Sequence, residues 1–317
     1  MRIVFMGTPQ YVVPVLEELQ GASELQVAAV YTPPDRPRGR GREIEITPVK
    51  GAALEFGIPV RQPVSFRSEE ARRELAAFRP DVAVVAAYGK LLPSAALEIP
   101  PHGCLNIHPS LLPRYRGPSP VVTAILDGIS ETGVTLMLLD EGMDTGPIVA
   151  QQKYGLSGTE TALSLTEDLF RAGGRLLVNC LEPWAAGQLT PMAQEDSLAT
   201  VTSKLVRSDG IADWTQSAAH LERRQRALTP WPGLFTQWEN KTLRLLEVVA
   251  LQGGKQLGES PGPQPGEVVA LNEGDIGCGI GTAEGILGIR SLQLEGRRAT
   301  SSSEFLRGYP NFVGSRL

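Results

Sequence analysis

Cysteine and histidine are both scarce in this chain, with three of each among 317 residues. Cys104, Cys180 and Cys278 lie far apart, are odd in number and form no CxxC pair. That argues against a disulfide framework and a zinc site, and for a reducing compartment. Long apolar runs are missing as well, since no stretch nears the roughly 18 residues a membrane span requires. The opening MRIVFMGTPQ passes straight into a strand pattern, without the basic and apolar regions of a signal peptide. The expectation is a cytoplasmic protein with no membrane span and no metal. Nor is there an excess of positive charge: 30 Lys+Arg face 35 Asp+Glu, a net charge of −5. Such a chain is not built to coat nucleic acid indiscriminately.

Hydrophobic residues make up 42% of the chain, enough for a large core, and its length suits one large domain plus a smaller one. The first half alternates apolar runs with amphipathic ones. RIVFM, LQVAAVY, DVAVVAA (81–87), GCLNI and GVTLMLL (133–139) read as strands. Thr8 and Pro9 suit an N-cap and a first helical position. Continuous Val-rich runs separated by segments such as EEARRELAAF indicate an α/β fold with strands buried on both faces of a mostly parallel, Rossmann-like sheet. TALSLTEDLFRAGGRLLVNCLEPW has helical spacing and closes this domain, taken as residues 1–189. Residues 190–208 read as a linker. From 209 to 317 a helical patch, QSAAHLERRQRAL, precedes short runs with turn signals, which suggest a small β-barrel or sandwich. GGKQLGESPGPQPG (253–266) reads as a loop, and GCGIG as hairpin turns.

Charge is unevenly placed. From Ser203 onward there are 13 Lys+Arg and 12 Asp+Glu, which leaves 17 and 23 for the first 202 residues. That acidic part nevertheless contains DRPRGRGR, with Arg36, Arg38, Arg40 and Arg42 on alternate positions. A local anionic contact is one reading of this loop, and a solvated surface loop is the other.

The stretch LNIHPSLLPRYRGPSP (105–120) puts Asn106 and His108 two residues apart at a strand end, with Pro109 marking the departure from the sheet. In open parallel sheets, ligands bind beyond the carboxyl ends of the strands. A second strand runs into the acidic, Gly-rich loop DEGMDTGP, which carries Asp140, Glu141 and Asp144. An amide, an imidazole and a carboxylate around one point suit acyl transfer to an amine. Asn NH2 and an imidazolium N–H stabilise an oxyanion, and the acid favours the protonated ring and helps relay a proton, directly or through water. Spacing alone leaves these side chains open to a purely structural reading, which is the one given to His102 and His220.

NIHPSLLPRYRG followed by GVTLMLLDEGMDTGPI resembles the 10-formyltetrahydrofolate-dependent formyltransferases. The resemblance implies a catalytic trio of Asn106, His108 and Asp144. It also implies a folate wall of Ser110, Leu111, Leu112 and Pro113, with Asp140 in the loop lining the same pocket. VFMGTPQ, VYTPPDRPRGRG, PVKGAALEFGIPVRQP and PDVAVVAAYGKLLP are similar to the branch that formylates initiator methionyl-tRNA, as are IADWTQSAAHLERRQRALTPWPG and GRRATSSSEFLRG. For that branch the resemblance implies an OB-like C-terminal barrel, action as a monomer, and tRNA contact through Arg36, Arg38, Arg40 and Arg42. HPS stands where that branch more often has HGS, and GREIEITPVK is more acidic than the lysine-bearing version usual there, which favours Arg40 over Arg42 as the contact. Arg297, Arg298 and Arg307 offer a second phosphate contact, whereas Trp231, Phe235 and Trp238 read as core. The rival expectations are a formyltransferase for glycinamide ribonucleotide or an amino-sugar nucleotide, a formyltetrahydrofolate hydrolase, and a non-catalytic RNA-binding module.

Overall fold

The structure is a computed structural model that describes residues 1–38, 43–251 and 262–317. Arg40, Arg42 and most of the 253–266 loop lie outside the described residues. Two compact units form. The first comprises Met1–Pro120, Ser130–Leu156 and Ser164–Ser203, and the second Val121–Ile129, Ser157–Leu163 and Lys204–Leu317.

In the first unit the strands are β1 (Arg2–Gly7), β2 (Gln26–Tyr31), β3 (Arg36–Arg38), β4 (Glu43–Glu45) and β5 (Val60–Arg61), followed by β6 (Val82–Ala86), β7 (Cys104–His108), β8 (Glu131–Leu138) and β9 (Ile148–Gly155). Seven of them form one sheet in the order β5-β2-β1-β6-β7-β8-β9, parallel from β5 to β7 and antiparallel across β7-β8-β9. β3 and β4 make a separate hairpin. The five strands expected of this half are present, and the apolar runs form them because both faces are covered. Side chains at period two divide cleanly between two cores. Ile3, Phe5, Val82, Val84, Leu105 and Ile107 enter one, and Val4, Met6, Ala83, Val85 and Cys104 the other. Asn106 and His108 share the parity of Cys104, so both project to that second face at the carboxyl end of β7.

The helices up to residue 185 are α1 (Val13–Gly21), α2 (Pro48–Glu55), α3 (Glu69–Ala77), α4 (Ser94–Leu97), α5 (Pro120–Asp127) and α6 (Ala162–Ala185), of which α5 from Val121 on and the first two residues of α6 belong to the second unit. α1, α2 and α6 cover the first face through Val15, Leu16, Val49, Ala53, Leu177 and Leu181. α3 and α4 cover the second face with Ala71, Leu75 and Ala96. Ser68 caps α3 by accepting a hydrogen bond from the Ala71 N–H, and Thr47 caps α2 by accepting from Lys50 N–H. Thr8 does not cap a helix. Its hydroxyl donates to the Tyr88 carbonyl at 2.9 Å, and a 3-10 turn over Gln10–Val12 precedes α1. A neighbouring loop thus outcompetes the local cap.

The second unit adds α7 (Ala218–Leu228), β10 (Leu234–Trp238), β11 (Lys241–Leu251), β12 (Val268–Glu273), β13 (Ile276–Gly281), β14 (Ile286–Leu294), β15 (Thr300–Ser301) and α8 (Ser302–Gly308). Its sheet is antiparallel, in the order β10-β11-β14-β13-β12, with β15 beside β14. Trp238 sits in the core, its ring centroid 5.1 Å from that of Phe312 and 5.5 Å from that of Tyr309, in edge-on contacts. Phe235 is also buried. Trp231, by contrast, is 55% exposed, because it stands between Pro230 and Pro232 in the turn leading to β10 rather than on a strand.

α6 approaches β7 closely at Gly173, where a Cβ would lie 2.5 Å from Ile107 Cγ2. Gly173→Ala is expected to overpack this contact and cost about 1–3 kcal/mol, read as a lower urea midpoint at unchanged slope. A midpoint equal to wild type would show that the helix is free to withdraw.

Candidate active site

His108 is buried at the end of β7, 4% exposed. One ring nitrogen, Nε2, lies 3.0 Å from the Tyr115 carbonyl oxygen. A carbonyl only accepts, so Nε2 carries the hydrogen, and in the neutral ring Nδ1 keeps its lone pair. Nδ1 faces Asp144 Oδ2 at 3.6 Å, too far for a hydrogen bond but close enough for Coulomb attraction once the ring is protonated. Burial pushes the His108 pKa below the ordinary imidazole value, against smaller upward contributions from Asp144 and the Tyr115 carbonyl. The resting ring is therefore a neutral acceptor at Nδ1. Burial thus disfavours the imidazolium that the sequence reading assigned as an oxyanion donor, and Nε2–H is committed to the backbone.

Asp144 is held by its surroundings rather than by the imidazole. Its Oδ2 accepts from the Gly117 N–H at 2.8 Å, and its backbone is left-handed, at φ 56°. Tyr115 is left-handed too, at φ 62°, which is unusual for an aromatic residue. Asn106 is 9% exposed and stands two residues before His108 on the same face of β7. Asn106, His108 and Asp144 thus come together around one strand end.

The SLLP segment runs beside them. Thr135, opposite His108 on β8, donates its hydroxyl to the Ser110 carbonyl at 2.6 Å and accepts from Leu112 N–H at 3.1 Å. Gln151, opposite Thr135 on β9, donates to Thr135 Oγ1 at 2.9 Å and to the Leu112 carbonyl at 2.8 Å. The Ser110 hydroxyl turns inward to the Arg114 carbonyl, and Leu112 packs on Met137 and Ile148. Leu111 and Pro113 are the half-exposed members of the segment. Asp140 accepts from the Gly142 N–H and the Thr145 hydroxyl, so it shapes the loop that carries Asp144. At Gly146 a Cβ would fall 1.8 Å from the Leu138 carbonyl oxygen, so only glycine lets this loop close on β8. Ser94, the first residue of α4, touches Glu141 on the loop after β8, and the exposed apolar side chains Leu91 and Met143 stand on the loops after β6 and β8.

Thr135 and Gln151 escaped the sequence reading because they look like ordinary strand residues. The row His108–Thr135–Gln151 across β7, β8 and β9 is visible only once the register is known. Arg36 is exposed on β3, and Arg38 lies in the same strand. Neither belongs to the cluster around His108.

The fold and this site define an acyl-transfer enzyme built on a doubly wound sheet. The family model described as formyl transferase matches residues 1–181, and the one described as formyl transferase, C-terminal domain, matches residues 204–310. The chain belongs to the formyl transferase family. It is 45% identical over 317 residues to the methionyl-tRNA formyltransferase of Roseiflexus sp. strain RS-1, covering 100% of this chain and 95% of that one. It is also 44% identical over 318 residues to that of Gluconobacter oxydans strain 621H, covering 100% of both. Among solved structures, HypX from Aquifex aeolicus in complex with tetrahydrofolic acid is similar at a TM-score of 0.64 and 19% identity, over 99% of this chain and 48% of that one. An N-formyltransferase from Helicobacter canadensis matches at a TM-score of 0.63 and 17% identity, over 90% and 97% of the two chains. At those identities the likeness is one of fold.

Thr135→Val removes one hydroxyl and leaves Leu112 N–H, the Ser110 carbonyl and the Gln151 amide short of a partner. The expected cost is about 1–3 kcal/mol, with faster hydrogen exchange at the Leu112 amide. Unchanged exchange there would show that the segment is held by packing alone.

Proposed function

We propose that this chain transfers the formyl group of 10-formyltetrahydrofolate to the α-amino group of methionine on initiator tRNA, with Asn106, His108 and Asp144 as the catalytic residues. The observation that carries the reading is the buried imidazole whose Nδ1 faces Asp144, on the same strand face as Asn106. Full-length relatives named for this reaction support the choice of acceptor.

The site's chemistry fits a formyl donor with a flat heterocycle. Leu91 and Met143 offer apolar contact, Leu111 and Pro113 a half-exposed wall, and Asn106 a polar amide. Ser110, Leu112 and Asp140 build that wall and loop from within. When bound, 10-formyltetrahydrofolate supplies the carbonyl carbon. The methionine amine attacks that carbon, and Asn106 NH2 stabilises the negative charge that grows on the formyl oxygen. His108 Nδ1 accepts the proton the amine loses, and the Asp144 carboxylate stabilises the resulting imidazolium. The new C–N bond is complete when the donor nitrogen departs with the proton returned by the ring.

Arg36, Arg38, Arg40 and Arg42 are assigned to the tRNA backbone, since phosphate contact needs positive charge without base readout. Action in the cytoplasm and as a monomer belongs to the same proposal. Three unpaired cysteines suit a reducing compartment, and among the described residues no helix is long and apolar enough to cross a membrane. No group of three or more His, Cys, Asp or Glu among those residues could hold a metal ion.

Labelled formyl is expected to appear on methionyl-tRNA faster than as free formate, and free methionine is expected to be a poor acceptor. Formate as the main product would turn the assignment to a hydrolase, and label on an amino sugar alone would turn it to that branch. His108→Ala should lower kcat by about 10²-fold or more.

The pH dependence has a definite sign. The neutral ring is the active form, so activity is full above the lowered pKa and lost as pH falls through it. The acid limb of kcat/KM should therefore lie below about 6.5. Asp144→Asn, which removes the contribution that raises the His108 pKa, should move the limb lower still. A limb above the ordinary imidazole range would contradict a neutral base.

Arg40→Ala should raise KM for tRNA and flatten its salt dependence while leaving folate binding intact. Equal salt slopes in variant and wild type would remove the loop from tRNA contact.

A further inference from the structure

We infer that Gln194, on the segment following α6, is a positioning residue that sets the separation of His108 and Asp144. This rests on the reaction proposed above. Residues 192–202 lie as a strap on the first unit rather than as a free connector. Met192 pairs with Ile148, and Arg116 pairs with the strap in both directions, its N–H donating to the Thr200 carbonyl at 2.8 Å and its carbonyl accepting from the Thr202 N–H at 2.7 Å.

Arg116 stands between the two residues that touch the trio. Tyr115 gives the carbonyl that fixes the His108 tautomer, and Gly117 gives the N–H that holds Asp144 Oδ2. The guanidinium of Arg116 donates through Nε to Gln194 Oε1 at 3.0 Å and through Nη2 to Asp196 at 2.8 Å. The other end of the Gln194 amide donates to the Asp144 carbonyl at 2.8 Å and to the Gly146 carbonyl at 2.7 Å. One half-buried side chain thus joins both halves of the pair. A ring of contacts runs His108–Tyr115–Arg116–Gln194–Asp144 and closes on the 3.6 Å approach to His108. Gln194 touches neither His108 nor the side chain of Asp144, so it acts through the backbone of the loop. Gln suits this position because one amide both accepts from a cation and donates to two carbonyls. Glu retains the first ability and loses the second.

The test compares wild type, Gln194→Met, Gln194→Glu and the neighbouring exposed Glu195→Ala in the full-length protein. Its readouts are steady-state kinetics with both substrates, melting temperature, and the Gly117 amide proton by NMR. Gln194→Met and Gln194→Glu are both expected to lose on the order of 10- to 100-fold in kcat, with KM for folate and for tRNA within about twofold. In both, the Gly117 proton should move upfield as its bond to Asp144 loosens, and Glu195→Ala should match wild type throughout. A kcat loss that only tracks a lower folded fraction, with the Gly117 resonance unmoved, overturns the inference, as does either Gln194 variant with wild-type kcat. The NMR comparison needs no turnover. A wild-type enzyme that makes no formyl-methionyl-tRNA refutes the assigned reaction, whereas an active wild type with an indifferent Gln194 refutes this inference alone.

Discussion

The hydrogen bond from His108 Nε2 to the Tyr115 carbonyl is the constraint on which the site depends. A buried ring with an unpaired N–H would lose about 1–3 kcal/mol, so the hydrogen settles on the nitrogen that faces the backbone. That choice leaves a lone pair on the other nitrogen, directed at Asp144. The left-handed backbone of Tyr115 follows from the same demand, because an aromatic residue persists there only where its surroundings over-determine it. Those surroundings are the Thr200 and Thr202 contacts that flank it.

The relative sizes of the electrostatic effects decide the protonation state. Burial of the imidazole is the largest influence on its pKa, and the carboxylate at 3.6 Å does not reverse it. The 2.8 Å bond from Gly117 fixes the carboxylate beside the ring without closing a hydrogen bond to it. In the proposed reaction that separation leaves Nδ1 its lone pair for the proton of the amine, so the residues fixing the loop bear on the same step as those facing the substrate.

Much of this was legible in the sequence, for identifiable reasons. Val-rich runs buried on both faces announce a parallel sheet, and the period-two rule puts Asn106 and His108 together before any coordinates are known. The strap was not legible. PMAQEDSLATVTS has no apolar period, exposes Met192, Leu198 and Val201, and binds the first unit through backbone and amide groups that no hydrophobic pattern reports. It therefore reads as a connector. The misreadings of Thr8 and Trp231 have the same root. Their local signals were sound, but a carbonyl from another loop claimed one, and two prolines held the other off the strand.

The basic hairpin shows how a departure from a family pattern can be a structural matter. Arg36 stands opposite Glu45 in the register of the stem, a cross-strand pair of opposite charges. Such a pair stabilises a two-stranded ribbon by a few tenths of a kcal/mol, a useful amount for an element that is marginal alone. Below the stem, Asp35 is gripped by Lys50 and by Gln62, whose amide donates to it at 2.8 Å and to the Pro33 carbonyl at 2.7 Å. Those bonds hold the Asp35 carboxyl below its usual pKa, so the anchor stays charged at neutral pH.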